Sequence, residues 1–87
     1  MSDIYKLTIT GSAQKEIRKL PKVEVQRILP ALQSLSQNPR PSGCKKLVGT
    51  KDSYRIRIGN YHVLYIIDDE IRIVEVSGVM HRREAYE

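Results

Sequence analysis

The sequence predicts an α+β fold: an N-terminal strand, a helical hairpin, then a three-stranded antiparallel meander that completes one sheet, with the helices on one face. Three observations carry this. Apolar residues alternate with period two at the start of the chain and again in strand-like runs after residue 52. Between Ala13 and Leu35 they recur instead at three- and four-residue spacing, the period of a helix. A Gly59-Asn60 pair divides two of the strand runs, as a two-residue hairpin turn requires. The 87 residues suffice for one domain, 1–87, with one modest core.

From Ile4 to Thr10 the alternation puts Tyr5, Leu7 and Ile9 on one face and Ile4, Lys6, Thr8 and Thr10 on the other, a half-buried strand. Gly11 and Ser12 end it, and Ser12 is an expected helix N-cap. Ala13, Ile17 and Leu20 then line the first helix, which Leu20-Pro21 breaks. Pro21 suits the start of a second helix, striped by Val25, Ile28, Leu32 and Leu35 with Leu29 beside them. Pro30 removes a backbone donor within that helix and crowds the carbonyl of Gln26, so a kink or break is expected there. Gln37–Lys46, with two prolines and a glycine, reads as a loop. Strands are expected at Ser53–Ile58, Tyr61–Ile67 and Ile71–Ser77, the last two divided by Asp68-Asp69-Glu70.

If Gly59-Asn60 is the whole turn, Ile58 pairs with Tyr61, Arg57 with His62, Arg55 with Leu64 and Tyr54 with Tyr65. Tyr54, Ile56, Ile58, Tyr61, Val63 and Tyr65 then share the face that covers the helices. Arg55, Arg57 and His62 share the other. A one-residue slip would turn the apolar set outward, so burial of that face protects the register. Arginines on a strand are commonly the solvated side of a sheet. The alternative is an anion site, because guanidinium forks match phosphate oxygens in pairs and an adjacent imidazole exchanges protons near neutral pH.

Composition points the same way. The formal net charge is +5, which favours a polyanionic partner, either nucleic acid or an acidic protein. Between Lys45 and His62 stand five cations, Lys45, Lys46, Lys51, Arg55 and Arg57, against one acid, Asp52. The chain has no tryptophan or phenylalanine, so only its five tyrosines could stack on bases. No apolar run reaches membrane-span length, and "MSDIYKLTIT" lacks the basic start and apolar stretch of a secretion signal. The single Cys44 cannot form an internal disulfide, so a cytoplasmic location is expected.

The chain ends "HRREAYE". A basic terminus often has no fixed shape. Folded over the polar face of the sheet, however, His81, Arg82, Arg83 and Tyr86 would join Arg55, Arg57 and His62 in a basic pocket with several proton-transfer groups and no metal-ligand cluster. Such a pocket suits RNA cleavage. The ribose 2′-hydroxyl attacks its own phosphate once a base takes its proton, cations stabilise the added charge, and an acid protonates the leaving oxygen. Arginine does not lose its proton in proteins, which leaves His62, His81 and Tyr86 as the candidate groups for proton transfer.

Three segments together resemble the RelE family of toxin–antitoxin proteins, within the wider RelE/ParE superfamily: "KKLVG" from Lys45, "YRIRIGNYHVLYIIDDEIRIVEV" from Tyr54 and "HRREAY" from His81. Their order behind a strand and a helical hairpin extends the match over nearly the whole chain. The resemblance implies a microbial-ribonuclease-like fold and a toxin that enters the ribosomal A site and cuts mRNA there without a metal or other cofactor. It implies catalytic roles for Arg55, Arg57, His62, His81, Arg82 and Tyr86, and RNA contacts from Lys45, Lys46, Lys51 and Arg83. His62 stands where relatives more often carry arginine, and Met80 replaces the glycine usual before His-Arg-Arg. The implied partners are a cognate antitoxin, an acidic and partly disordered chain, and the ribosome with its mRNA and surrounding 16S rRNA. Two other functions stay open on the residues: a ParE-like inhibitor of DNA gyrase that cuts nothing, and a non-catalytic RNA-binding module.

Overall fold

A computed structural model describes residues 4–81. The strands are β1 (Lys6–Ile9), β2 (Lys45–Lys46), β3 (Ser53–Ile58), β4 (Tyr61–Asp68) and β5 (Ile73–His81); the helices are α1 (Gly11–Arg18) and α2 (Lys22–Ser34). One sheet runs in the order β1-β5-β4-β3-β2. β3, β4 and β5 form the antiparallel meander, and β1 joins it as a parallel partner of β5, which makes the sheet mixed. Both helices cover one face, α1 over β5 and α2 against β3. Among the described residues no helix is long and apolar enough to cross a membrane.

The hairpin follows the register its turn dictates: Arg57 lies opposite His62, Arg55 opposite Leu64 and Tyr54 opposite Tyr65. Tyr61, Val63, Tyr65 and Ile67 of β4 point to the helices and are buried with Val74, Val76 and Val79 of β5. Ala13, Ile17, Ile28, Leu32 and Leu35 meet them from the helical layer.

Four boundaries depart from the sequence reading. The first strand is shorter at its start, and Ile4 is exposed. Thr10, not Ser12, caps α1: its extended backbone ends the strand while its hydroxyl accepts the Ala13 N–H at 3.1 Å. β2 forms inside the expected loop, where Lys45 and Lys46 pair with Arg55 and Tyr54. β5 starts later and runs four residues further than expected, because Asp68 accepts the N–H groups of Glu70 and Ile71 and the chain turns through Arg72 in the left-handed region (φ 56°).

α2 does not break at Pro30. Pro30 and Gln26 both lie on the solvent side, so the Gln26 carbonyl that loses its donor can turn to water. Ile28, Leu32 and Leu35, each about 1% exposed, anchor the helix on either side. Leu29 is off that stripe and 40% exposed.

The sheet also carries an irregularity that periodicity alone does not reveal. Leu64 pairs with Gly78 but Tyr65 pairs with Val76, leaving Ser77 as an extra residue in β5. Its hydroxyl donates to the Leu64 carbonyl at 3.3 Å. Strict alternation from Val74 and Val76 would turn Val79 outward. The bulge inverts the phase, so Val79 is buried and His81 follows it to the helix side, opposite Tyr61. The Glu16 carboxylate on α1 accepts the Val79 N–H at 2.8 Å and so ties the bulged strand to the helix.

Burial separates the two leucines of α2. Leu32→Ala should lower unfolding free energy by about 2–5 kcal/mol through lost burial and a residual cavity, whereas Leu29→Ala should change it by less than about 0.5 kcal/mol. Urea titration of both variants checks this; equal losses would mean that the helix is rotated.

Candidate active site

The outer face of the sheet, which no helix among the described residues covers, carries a depression of about 210 Å³ lined by Gly43, Lys45, Arg55, Arg57 and His62. Each cation arrives by strand pairing. Arg55 and Arg57 are two apart on β3 and so share a face. β2 brings Lys45 opposite Arg55, and β4 brings His62 opposite Arg57. The short β2 strand is thus the feature that adds a third cation.

Arg57 is oriented by its own turn. Gly59 adopts φ 62°, a left-handed conformation that glycine tolerates without a Cβ penalty. Its carbonyl accepts the Arg57 Nε–H at 2.9 Å. The two Nη groups of the fork, which carry the remaining donors, stay available for the paired oxygens of an anion. A Cβ at Gly59 would also meet Arg27 of α2 at 3.0 Å.

His62 is 3% exposed. Burial holds its pKa below the ordinary value of 6.5, and the charges of Arg55 and Arg57 push it the same way. At neutral pH the imidazole is therefore uncharged and able to accept a proton, beside cations that cannot give one up.

The other residues singled out by sequence are distributed differently. His81 does not join the depression. The bulge at Ser77 places it on the helix side, where its ring meets Tyr61 edge-on at 5.3 Å between centroids. Lys46 points to the face opposite Lys45, because neighbouring strand residues alternate. Lys51 lies at the far end of β3 beside Asp52, Asp68, Asp69 and Glu70, in surroundings that disfavour an RNA phosphate. Arg82, Arg83 and Tyr86 lie outside the described residues. Sequence reasoning missed Gly43 as a lining residue and Gly59 as the partner of Arg57; the Gly-Asn turn two residues after Arg57 was the available signal for the latter.

Loop 37–44, which leads into this site, is held from behind. Arg40 makes two hydrogen bonds to Asp69, at 2.8 and 3.2 Å, and donates to the Tyr54 hydroxyl at 3.1 Å. Tyr5 donates to Asp69 at 2.6 Å, and the buried Tyr65 hydroxyl donates to the Pro39 carbonyl at 2.9 Å. The Arg40 guanidinium, with the Tyr5 hydroxyl, holds the Asp69 carboxyl below its usual range. Burial pushes the Tyr65 hydroxyl well above the usual tyrosine range, so it remains a donor to Pro39.

NMR titration of the His62 ring should give a pKa below 6.5, moving upward in Arg55→Gln as one nearby positive charge is lost. The sign for stability follows. With the folded pKa depressed, the unfolded chain binds more protons in the intervening window. The His62 contribution is present above pH 6.5 and is lost as pH falls through the folded-state value. A titration midpoint at or above 6.5 would contradict the burial and charge described.

Comparison with known proteins bears on what this arrangement belongs to. Residues 7–86 match the sequence model of the family described as ParE toxin of type II toxin-antitoxin system, parDE. Toxin RelG of Mycobacterium tuberculosis is 33% identical over 86 residues, spanning 94% of this chain and 95% of that protein. The fold superimposes on the archaeal RelE–RelB complex of Pyrococcus horikoshii with a TM-score of 0.82 at 28% identity, covering 91% of this chain and 96% of that one. It also superimposes on the intact Escherichia coli RelBE toxin–antitoxin complex with a TM-score of 0.77 at 30% identity, covering 88% and 95%. The family name is ParE while these relatives are Rel proteins, and the relatives, matched over nearly their whole length, locate the chain more finely than the broad family. The chain therefore belongs to the ParE toxin family of type II toxin–antitoxin systems, and within it to the RelE-type toxins.

Proposed function

We propose that the protein is a ribosome-dependent endoribonuclease that cuts mRNA in the ribosomal A site and so stops translation in the cytoplasm. The observation that carries this reading is the open-face depression, in which Lys45, Arg55 and Arg57 surround a buried, neutral His62. Three fixed cations suit a phosphate whose charge increases in the transition state. A neutral imidazole suits the one step for which arginine is unfit, removal of a proton.

In this reading His62 takes the proton of the ribose 2′-hydroxyl. The 2′-oxygen attacks the adjacent phosphorus, and the Lys45, Arg55 and Arg57 charges stabilise the additional negative charge. The bond to the 5′-oxygen breaks, and that oxygen leaves with a proton from an acid. The products are a 2′,3′-cyclic phosphate and a free 5′-hydroxyl. Tyr86 is the proposed acid, with Arg82 and Arg83 completing the cationic set. His81 has no part in this scheme. The partner is a cognate antitoxin, supported by relatives solved as RelE–RelB and RelBE complexes; an acidic, partly disordered segment suits the basic face.

The family's ParE name favours a second reading, inhibition of DNA gyrase without cleavage. Primer extension on a reporter mRNA in a cell-free translation reaction separates the two. Cuts are expected on translated mRNA, with none on naked mRNA, and Arg57→Ala and Arg82→Ala should each lower cutting by at least tenfold. The rate should fall as pH drops through the depressed pKa of His62, and His62→Gln should remove that limb along with most of the activity. An intact message, together with inhibited supercoiling in a gyrase assay, would establish the second reading instead.

A further inference from the structure

Arg40 stands where three parts of the chain meet. Its guanidinium makes two hydrogen bonds to Asp69 in the β4–β5 turn, at 2.8 and 3.2 Å, and a third to the Tyr54 hydroxyl of β3 at 3.1 Å. Asp69 is aimed from its own side. The Asp68 carboxylate fixes the turn by accepting the Glu70 and Ile71 N–H groups, and the Tyr5 hydroxyl donates to Asp69 at 2.6 Å. From Arg40 the constraint runs along a short, stiff stretch. Pro39 and Pro41 flank it, each with a φ fixed by its ring. The Cys44 N–H then donates to the Pro41 carbonyl at 3.1 Å and closes a turn. The next residue is Lys45, which with Gly43 lines the basic depression. β2 itself holds Lys45 by two residue pairs, Lys45 with Arg55 and Lys46 with Tyr54, far below the usual strand length. Tyr54 is thus gripped twice, by the ladder and by Arg40.

We propose that Asp69 and Arg40 are positioning residues, which hold Lys45 against the anion in the depression and take no part in contacting it. The inference rests on the reading of that depression as a phosphate site. The pair is exposed, 42% at Arg40 and 54% at Asp69, and an ion pair of that kind contributes little to global stability. Its geometry is nevertheless that of a fixed joint, because a guanidinium fork on two carboxylate oxygens is directional. Direction is what Lys45 lacks. A lysine is a point charge on a flexible stem, so the place of its ammonium depends on where the backbone starts it. A displacement of about 1 Å from a developing charge can cost about 100-fold in rate. The acid of the far corner thereby acts on the basic site through the chain and not through its field. Glu70 borders the same corner, and among the described residues it forms no ion pair with Arg40. Its charge can therefore be removed without touching the joint.

The test is a double-mutant cycle on the full chain, with Asp69→Ala, Lys45→Gln and the two combined. Two quantities are read: single-turnover cutting in the translation reaction, and NMR-detected affinity for a 2′-O-methyl RNA trinucleotide, which lacks the attacking hydroxyl and cannot be cut. Asp69→Ala should lower both by about tenfold with an unchanged urea midpoint, and should shift the Gly43 and Lys45 amide resonances. The double variant should be no worse than Lys45→Gln alone, since a joint that acts through Lys45 has nothing left to position. Asp69→Glu should restore most of the loss, and Glu70→Ala should behave as the parent. If Asp69→Ala does not fold, Arg40→Gln breaks the joint from its other side and should give the same pattern. Losses that multiply in the double variant would overturn the proposal, as would an equal loss in Glu70→Ala or a fall in urea midpoint that accounts for the whole effect. Should the parent bind the trinucleotide and cut no message, the nuclease reading falls and the affinity cycle still decides the role of Asp69. A parent that neither binds nor cuts would overturn both.

Discussion

The pairing of β4 between β3 and β5 is the constraint on which the rest of the molecule depends. Its inward side chains, Tyr61, Val63, Tyr65 and Ile67, are nearly all completely buried and form the floor of the core. Its outward ones, His62, Leu64 and Ile66, lie on the open face. A strand has no intermediate choice: a slip by one residue would expose the whole inward set, two tyrosines included, and turn His62 into the core. The Gly59-Asn60 turn selects the register, and the hydrophobic cost of the alternative holds it. The position of His62 beside Arg57 is therefore a by-product of core formation, secured by residues on the other side of the sheet.

Charge is separated along the length of the β3–β4 pair. At the turn end are Lys45, Arg55 and Arg57; at the other end Asp52, Asp68, Asp69 and Glu70 gather around Lys51. Arg40 bridges to the acidic corner, with its guanidinium 5.2 Å from the centre of the Tyr54 ring, and Tyr54 stacks in turn on Tyr65. An exposed ion pair of this kind contributes little stability on its own. Here it shares Asp69 with Tyr5 and so links the first strand, the β4–β5 turn and the loop that delivers Lys45. A polyanion approaching such a surface is attracted to one end and repelled from the other, which orients it before any contact forms.

The bulge at Ser77 shows how one residue reassigns chemistry. By regular alternation His81 would have faced outward, toward the arginines. The extra residue turns Val79 into the core, where it is 3% exposed, and carries His81 with it to the helix side. Glu16 makes the irregularity tolerable by accepting the Val79 N–H. The same carboxylate is thereby turned away from its basic neighbours on α1, which leaves that helix with an outward face of nearly uniform sign.

The chain order alone determined the local elements and one hairpin. Period two, helical spacing and the Gly-Asn turn are short-range signals, and they place Arg55, Arg57 and His62 on one face because a two-residue turn admits one register. The family resemblance, carried by three short segments, needed no structure either. What tertiary structure decided were the matters that depend on distant partners. β2 is two residues long and exists only because β3 offers it an edge. Thr10 caps α1 because the sheet holds its backbone extended. Pro30 is tolerated because its face of α2 meets solvent. His81 left the arginines because a bulge in β5 inverts the alternation, and the burial that keeps His62 neutral arises only when the strands are assembled. Local pattern is written along the chain, whereas pairing phase, burial and electrostatic surroundings are properties of residues brought together from far apart.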